Sequence, residues 1–420
     1  MNKAPLFFVR PGLAVAGLLL LSVSASAMEL DVALDLALER DAGLSDLKSQ
    51  RLAVEQQALA DAALPDPELF LGAEGIPVND PFGSDMMTMY MVGVRQQWPA
   101  GQTRRLVAER GQSESHVLES RSSARRLEIQ REVRLAWLEW VAAVRVSEIA
   151  EQGLAALDEM LELATSRFRA GTDRQRDVDQ ARLEHALQAG RILDQITRVE
   201  EAASNLARWT GTWPESGSQI ELPRWSAPGN SAELRDRLSR HPAIEAETRG
   251  LETGRIEVEL ARQSYRPMWM VEAGYGHQRG SDPMGGRMSD KLFGMVSMSL
   301  PLFTGNRQDR RLAAAEAEAD ARIHQRHYRL QEWEGNLRRQ LAALANQQRR
   351  LQLLEETILP QSERTLESTL QAYRSDRASF DELVRARLAE LDQRISIIET
   401  RLAWLQARAE LAWLIAEEKP

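Results

Sequence analysis

Most of the chain repeats its apolar positions every three to four residues, as helices do, but four short stretches alternate apolar and polar residues with a period of two. These stretches are residues 68–74, 87–97, 268–277 and 291–300. Residues that favour turns lie between the members of each pair. The pattern therefore predicts two pairs of strands, each strand with one apolar face and one polar or small face.

The helices predicted around these strands are long. Residues 103–169 contain no proline and predict one nearly continuous helix of roughly 100 Å. After a break at Gly171, a second helix is predicted over residues 173–209. The later part of the chain repeats this with helices over 306–374, where Pro360 predicts a kink, and 377–416. Long helices joined by tight turns form antiparallel coiled-coil-like hairpins. Residues 29–63 predict one further helix.

The two halves of the chain share a pattern at an offset of about 200 residues, too long a period for a solenoid. Residues 67–73 align with 267–273, residues 40–42 align with 240–242, and Phe168 near the first hairpin turn aligns with Tyr373 near the second. The sequence therefore predicts a first repeat over residues 28–211, a linker over 212–230 that is rich in Gly, Pro and Trp, and a second repeat over 231–420.

The amino terminus has the features of a secretory signal peptide. Lys3 and Arg10 precede an apolar run over residues 13–23, and Ala25-Ser26-Ala27 provides an Ala-x-Ala cleavage site. We expect residues 1–27 to be removed, and the loss of both bases makes the net charge of −9 more negative. An acidic exported chain gives no reason to expect nucleic acid as a partner.

The strands are the expected route to any membrane contact. The sequence after the signal peptide has no apolar run of about 18 residues, the length that a spanning helix needs. Cysteine is absent, so neither disulfide bonds nor a cysteine-linked lipid anchor is expected. Four strands have two open edges, and unpaired backbone groups in lipid cost several kcal/mol each. Two subunits would give eight strands with a filled interior, and three would give twelve around a lumen.

The duplicated unit also contains Leu64-Pro65-Asp66-Pro67, a methionine-rich run over residues 86–94, the pair Trp98-Pro99 and two hairpin turns. Together these features resemble the TolC family of outer-membrane efflux proteins, and most closely its heavy-metal branch of the CzcC and CusC type. The resemblance implies a mainly α-helical fold with a membrane β-barrel. The expected assembly is a homotrimer with a twelve-stranded barrel and a long periplasmic α-helical barrel.

The resemblance also implies the location and the partners. It places the protein in the lipid of the outer membrane of a Gram-negative bacterium, with a large periplasmic part. The implied partners are a periplasmic adaptor (membrane-fusion) protein and an inner-membrane pump, usually of the resistance-nodulation-division (RND) class. The protein would passively export what the pump delivers, with heavy-metal cations as the expected cargo. The alternatives are a drug or protein export duct of the same fold, or a periplasmic coiled-coil adaptor or scaffold.

In the family, the channel narrows at the periplasmic hairpin tips, partly through rings of acidic residues. Counting nine residues from the aromatic residue near each turn gives Asp177 and Glu382 as gate candidates, and Gln180 and Arg385 lie three residues further on. An Arg385 paired with a neighbouring acid is a hypothesis for holding the closed state, whereas solvated charges on exposed turns are the alternative. Candidates for contact with the adaptor are Gly171, Asp173, Arg174, Asp376 and Arg377.

Chemistry beyond transport is not predicted. The sequence contains no glycine-rich phosphate loop or nucleophile elbow, so neither an enzyme nor a cofactor is expected. His324 and His327 are spaced to share a metal on a helix, but the arginines beside them favour an exposed helix face. Most methionines lie near the strands, where thioethers suit Cu(I) or Ag(I) or fill apolar gaps. The candidates for a soft-metal path are Met87, Met89, Met91, Met268 and Met270.

Overall fold

A computed structural model describes residues 28–79, 87–215, 220–279, 284 and 286–420, so the expected signal peptide lies outside the described residues. The strands are β1 (Glu68–Glu74), β2 (Met89–Trp98), β3 (Trp269–Gln278) and β4 (Lys291–Met298). The helices are α1 (Leu30–Arg40), α2 (Ala42–Asp61), α3 (Thr103–Arg169), α4 (Gln175–Thr210), α5 (Ser231–Ser239), α6 (Pro242–Gln263), α7 (Gln308–Leu353), α8 (Leu359–Arg374) and α9 (Phe380–Leu414).

The four strands form one antiparallel sheet in the order β1-β2-β3-β4. The two repeats meet in the middle of this sheet, where β2 pairs with β3 from Met89 opposite Gln278 to Trp98 opposite Trp269. The strands begin and end within two residues of the predicted bounds. Within the sheet β1 and β4 each pair on one side only, so both edges are open.

The helices form a layer in which neighbours lie side by side. Near the sheet, α2 packs on α3, α3 on α6, and α6 on α7. Further along α3, the order becomes α4, α3, α9 and then α7 with α8. The hairpins are therefore α3 with α4, and α7–α8 with α9. Among the described residues, no helix combines the length and the apolar character needed to cross a membrane.

Two predicted helices are interrupted. The helix expected over residues 29–63 is broken at Asp41, whose backbone is extended and whose side chain caps α2 by accepting from the Leu44 N–H across 2.7 Å. The kink expected near Pro360 is a π-helical turn over Leu354–Ile358, where the Leu359 N–H donates to the Leu354 carbonyl. The wider turn accommodates a proline that lacks an N–H and would clash in a regular α-helix.

The main core lies where α1 and the inter-repeat linker cover the helical layer. Apolar side chains of α3, α4, α7 and α9 pack there together with Ala33 of α1 and Leu222 of the linker. His241 caps α6 at the edge of this core, with its ring 4.7 Å from that of Trp333 and 5.7 Å from that of Trp413. This core holds the base of both hairpins, so that their tips project away from it.

Candidate functional site

The tips of the two hairpins meet and are joined by polar side chains. Arg167, in the last turn of α3, donates from Nε to Asp173 Oδ1 across 3.0 Å and also binds Asp376 of the other tip. The Tyr373 hydroxyl, at the end of α8, donates to Asp173. The Arg167 guanidinium also lies over the Tyr373 ring, 4.9 Å from its centroid. Separating the tips would break the contacts of Arg167 with Asp376 and Tyr373 and that of Tyr373 with Asp173, whereas the bond between Arg167 and Asp173 lies within the first tip.

The same contacts fix the charges of the cluster. The bond to Asp376 and then that to Asp173 raise the pKa of Arg167 above its usual range, so the guanidinium stays charged. Burial, followed by the Asp173 carboxylate, raises the pKa of Tyr373 well above its usual range, so its hydroxyl remains a donor. Asp173 keeps only 8% of its side chain exposed, so it sits between the tips.

A small apolar cluster lies behind these polar contacts. The Tyr373 ring is 2% exposed and lies 5.8 Å from the ring of Phe380. The other buried members come from both hairpins and are Leu157, Met160, Ala164, Val178, Ala181, Leu383 and Val384. Each Å² of apolar surface that is buried contributes about 25 cal/mol. The cluster therefore stabilises the paired tips independently of the charges.

Asp177 and Glu382, the predicted gate acids, occupy the third position of α4 and α9. Asp177 accepts from the Arg174 N–H across 3.2 Å, and Glu382 accepts from the Ser379 N–H across 2.7 Å. The Ser379 backbone bond is the largest cause that lowers the pKa of Glu382. Each acid therefore satisfies the start of its own helix, as the acidic residue of a capping box does. Their role in a gate stays a prediction.

The other two gate candidates meet at an acid that sequence reasoning missed. Gln180 donates from Nε2 to Asp381 Oδ1 across 2.9 Å, which joins α4 to α9, and Arg385 binds the other oxygen of Asp381. Arg385 thus pairs with a neighbouring acid, as hypothesised, but the effect of that pair on a closed state stays a prediction. Arg167 was also missed, because its counterpart in the second repeat is Ala372.

The five predicted adaptor-contact residues do not share one environment. Gly171, Arg174 and Arg377 are exposed at the tips, and Asp376 keeps 70% of its side chain exposed although it binds Arg167. Gly171 has a φ of 78°, which favours glycine, and a Cβ there would meet no atom within 4 Å. Asp173 differs because its side chain is only 8% exposed and is covered by Arg167 and Tyr373.

The sheet at the other end of the molecule has two unlike faces. One face is apolar and open, with Leu71 78% exposed and Leu292 85% exposed. The members of this face are Leu69, Leu71, Val92, Val94, Trp98, Trp269, Val271, Tyr275, Leu292, Val296 and Met298. The opposite face carries charged, amide, glycine and thioether groups, and we call it the polar face.

Two rows of paired residues define the polar face. In one row Arg95 lies between Glu68 and Glu272, at 3.6 Å and 2.5 Å from their carboxylates. In the next row Phe70 and Phe293 lean over Gly93 and Gly274, where a Cβ would approach each ring within 2.5 Å. The two phenyl rings have centroids 6.1 Å apart. Glycine is required because the rings occupy the space above its backbone.

The predicted soft-metal residues are distributed around this face. Met89, Met91 and Met270 have strand positions that place them on the polar face. Met268 precedes β3, and its sulfur accepts from Gln97 Nε2 across 2.7 Å. Met87 precedes β2 and is 72% exposed. In the part of the chain that the structure describes, no group of three His, Cys, Asp or Glu side chains is placed to hold a metal ion. His327, one of the two helical histidines considered, bonds Gln331 across 2.8 Å.

Solved structures share this fold across nearly the whole chain. CusC covers 92% of this chain and 91% of its own, with a TM-score of 0.78 and 15% identity. A membrane protein of Pseudomonas aeruginosa covers 93% and 94%, with a TM-score of 0.77 and 19% identity. VceC of Vibrio cholerae, an outer membrane protein, covers 92% and 95%, with a TM-score of 0.74 and 20% identity.

A comparison of sequences finds a family match in the second half of the chain. Residues 234–417 match the family described as outer membrane efflux protein. Over these residues the chain is similar to that family. Protein CyaE of Bordetella pertussis is 29% identical over 192 residues, which are 42% of this chain and 37% of that protein's length. The predicted fold class is confirmed, and the family agrees with the expected outer-membrane localisation. The heavy-metal branch stays a prediction.

Proposed function

We propose that the chain is the outer-membrane channel of a tripartite efflux system. It works as a homotrimer and passively conducts substrate that an inner-membrane pump of the RND class delivers through a periplasmic adaptor protein. The proposal extends the family match of residues 234–417 to the whole chain, whose fold is shared with outer-membrane channels. It requires no catalytic residue and no cofactor.

The observation that carries this proposal is the sheet with two open edges and an exposed apolar face. In lipid such edges must be paired, and the strands of further copies would pair them. The helical layer also has an open apolar edge, because α4 lies at one side of the layer and large apolar side chains on it are exposed. These are Leu183, Leu187, Leu193 and Ile196, which are 45–67% exposed. Three copies would give twelve strands, enough for a lumen.

The proposed mechanism is gating at the hairpin tips. At rest, the cluster of Arg167, Asp173, Tyr373 and Asp376 ties the two hairpins of each subunit together. The bond from Gln180 to Asp381 adds a second tie, and Arg385 pairs with Asp381 within α9. Asp177 and Glu382 supply the acids of the constriction. An adaptor that docks on the exposed tip residues Gly171, Arg174 and Arg377 would open the duct by competing for these ties.

For the cargo we propose heavy-metal cations, on the basis of the resemblance to the CzcC and CusC type. Organic drugs or a secreted protein are the alternatives for the same duct. The pump selects much of the cargo. Residues of the channel influence the choice of cargo only where they line the passage.

The test is extraction and single-channel recording. We expect the protein to require detergent, to migrate as a heat-modifiable oligomer, and to insert into planar bilayers with a low conductance at rest. Release of the protein from cells without detergent, together with a failure to insert, would contradict the channel and favour a periplasmic scaffold. Normal insertion that is unaffected by every tip substitution would retain the channel and reject the tip gate.

A further inference from the structure

The methionines of the sheet are not shared equally between its two faces. Four methionines have strand positions on the polar face, on the same side of the sheet as Arg95 and Gly274. They are Met89, Met91, Met270 and Met295. On the apolar face, the described strands carry Met298 alone, opposite Trp269. The apolar face is otherwise built mainly from Leu, Val, Tyr, Trp and Ala, with Gln96 and His277 as its polar members.

This distribution is the opposite of what is expected if methionine only fills apolar gaps. Methionine that only supplies apolar surface belongs on the face that contacts lipid or a core. On the polar face its neighbours are instead charged, amide, hydroxyl or glycine groups, with Met295 opposite Glu272 and Met270 between Gln97 and Ser297. If the apolar face contacts lipid, the polar face lines the duct, because strands of membrane barrels alternate in this way.

The thioethers form two pairs along the duct. Met89 and Met91 are two residues apart on β2, so their side chains are neighbours on one face. Met270 and Met295 are diagonal neighbours on β3 and β4, about 7–8 Å apart and within reach of long side chains. The row of Phe70 and Phe293 separates the two pairs.

Glycine provides the space that the first pair occupies. A Cβ at Gly276 would lie 2.7 Å from the Met89 sulfur, and a Cβ at Gly72 would lie 3.4 Å from the Met91 methyl carbon. The two thioethers therefore lie against glycine backbone, and both methionines are half-buried. Met295 beside the second pair is 51% exposed.

The charges of the polar face do not repel a cation. Arg95 is matched by two carboxylates, those of Glu272 and Glu68, so its row is negative overall. Lys291 and Glu74 are the remaining charges at the ends of β4 and β1. Thioether sulfur binds soft monovalent cations such as Cu(I) and Ag(I) and has little affinity for hard cations.

We propose that these four methionines form a thioether-lined passage for soft monovalent cations in the strand part of the duct. The inference rests on the proposed channel function and specifies the class of heavy-metal cation. Each pair coordinates the ion transiently, and three subunits would multiply the pairs around the lumen. Weak, repeated sites allow a cation to enter and also to leave.

The test is block of the K⁺ current by Ag⁺ in planar bilayers, with nitrate salts so that silver stays in solution. The test variant replaces Met89, Met91, Met270 and Met295 with leucine, and the control is Met298→Leu on the apolar face. Leucine has nearly the same volume, so folding should be retained. The heat-modifiable oligomer and the K⁺ conductance without silver verify this for each variant.

We expect Ag⁺ to block the wild type and Met298→Leu at equal concentrations, and the four-fold variant to need at least ten times more. Ca²⁺ should affect the K⁺ current equally in all three proteins. Equal Ag⁺ block in all three, or no block of a wild type that conducts K⁺ normally, would overturn the thioether passage. A protein that never inserts or conducts K⁺ would instead contradict the channel function itself.

Discussion

The two repeats place different side chains at the same position of the same fold. Asp41 and His241 both cap a helix at the start of their repeat, accepting from the Leu44 N–H at 2.7 Å and the Ala243 N–H at 3.0 Å. Arg125 binds Asp41 and is the largest cause that lowers its pKa, whereas burial lowers the pKa of His241 to about 4. One cap is therefore stabilised as an ion and the other as a neutral ring.

The hairpin tips differ in the same way. Gly171 and Asp376 both have the left-handed backbone that ends the first helix of each hairpin, with φ values of 78° and 60°. Phe168 is 39% exposed, but its counterpart Tyr373 is 2% exposed. The two turns thus share a backbone conformation but differ in side chains, and Tyr373 of the second tip binds Asp173 of the first. If this difference matters, substitutions at matching positions of the two halves should have unequal effects.

The largest effect is expected from the paired aromatic residues. Tyr373→Ala removes a buried ring and a hydroxyl that binds Asp173, and should cost about 3 kcal/mol of local stability. Phe168→Ala at the matching position should cost well under half of that. Hydrogen exchange of the amides in the last turns of α3 and α8 measures the opening free energy. Equal losses in the two variants would remove the asymmetry between the tips.

The contributions of the two caps to stability should be lost in different ranges of pH. In the unfolded chain His241 takes up a proton below pH 6.5, but in the folded protein only near pH 4, so stability falls as the pH drops between these values. At pH 5 the loss is about 2 kcal/mol. The folded pKa of Asp41 is lowered from 3.8, so its contribution is lost only as the pH falls below that value.

His241→Asn is the matched variant for this prediction, because asparagine can still cap α6 and does not titrate. Urea unfolding at pH 7 and pH 5 should show a smaller loss of stability for this variant than for the wild type. An unchanged loss would assign the effect to other groups.

The helices and strands could be predicted well because they depend on local pattern. The helix predicted over residues 103–169 is α3, since nothing in that segment interrupts the period. The break at Asp41 was missed, although its alignment with His241-Pro242 contained the signal, because proline favours the first turn of a helix. The tip contacts could not be predicted, because they join residues about 200 apart and depend on which of the adjacent acids, Asp381 or Glu382, faces across.

A smaller effect is expected when the charged tie is cut. Arg167→Gln removes the ion pairs to Asp173 and Asp376, which are partly exposed and should contribute about 1 kcal/mol to the closed state. Single-channel recording should show the open fraction rising about five-fold. Arg169→Gln, an exposed arginine two residues away, is the control. A rise in both variants would point to surface charge in general.

The smallest effect is expected from the acids that the sequence pointed to first. Glu382→Gln keeps an acceptor for the Ser379 N–H and removes only the charge, whereas Glu382→Ala removes the cap as well and should cost about 1 kcal/mol. Because the charge is already satisfied by the start of α9, we expect Glu382→Gln to change conductance less than two-fold, and Glu382→Ala more. The pair Asp177→Asn and Asp177→Ala repeats the comparison in the first hairpin. A large and equal rise with Gln and Ala would show that an acidic ring, and not the tie between the tips, holds the duct closed.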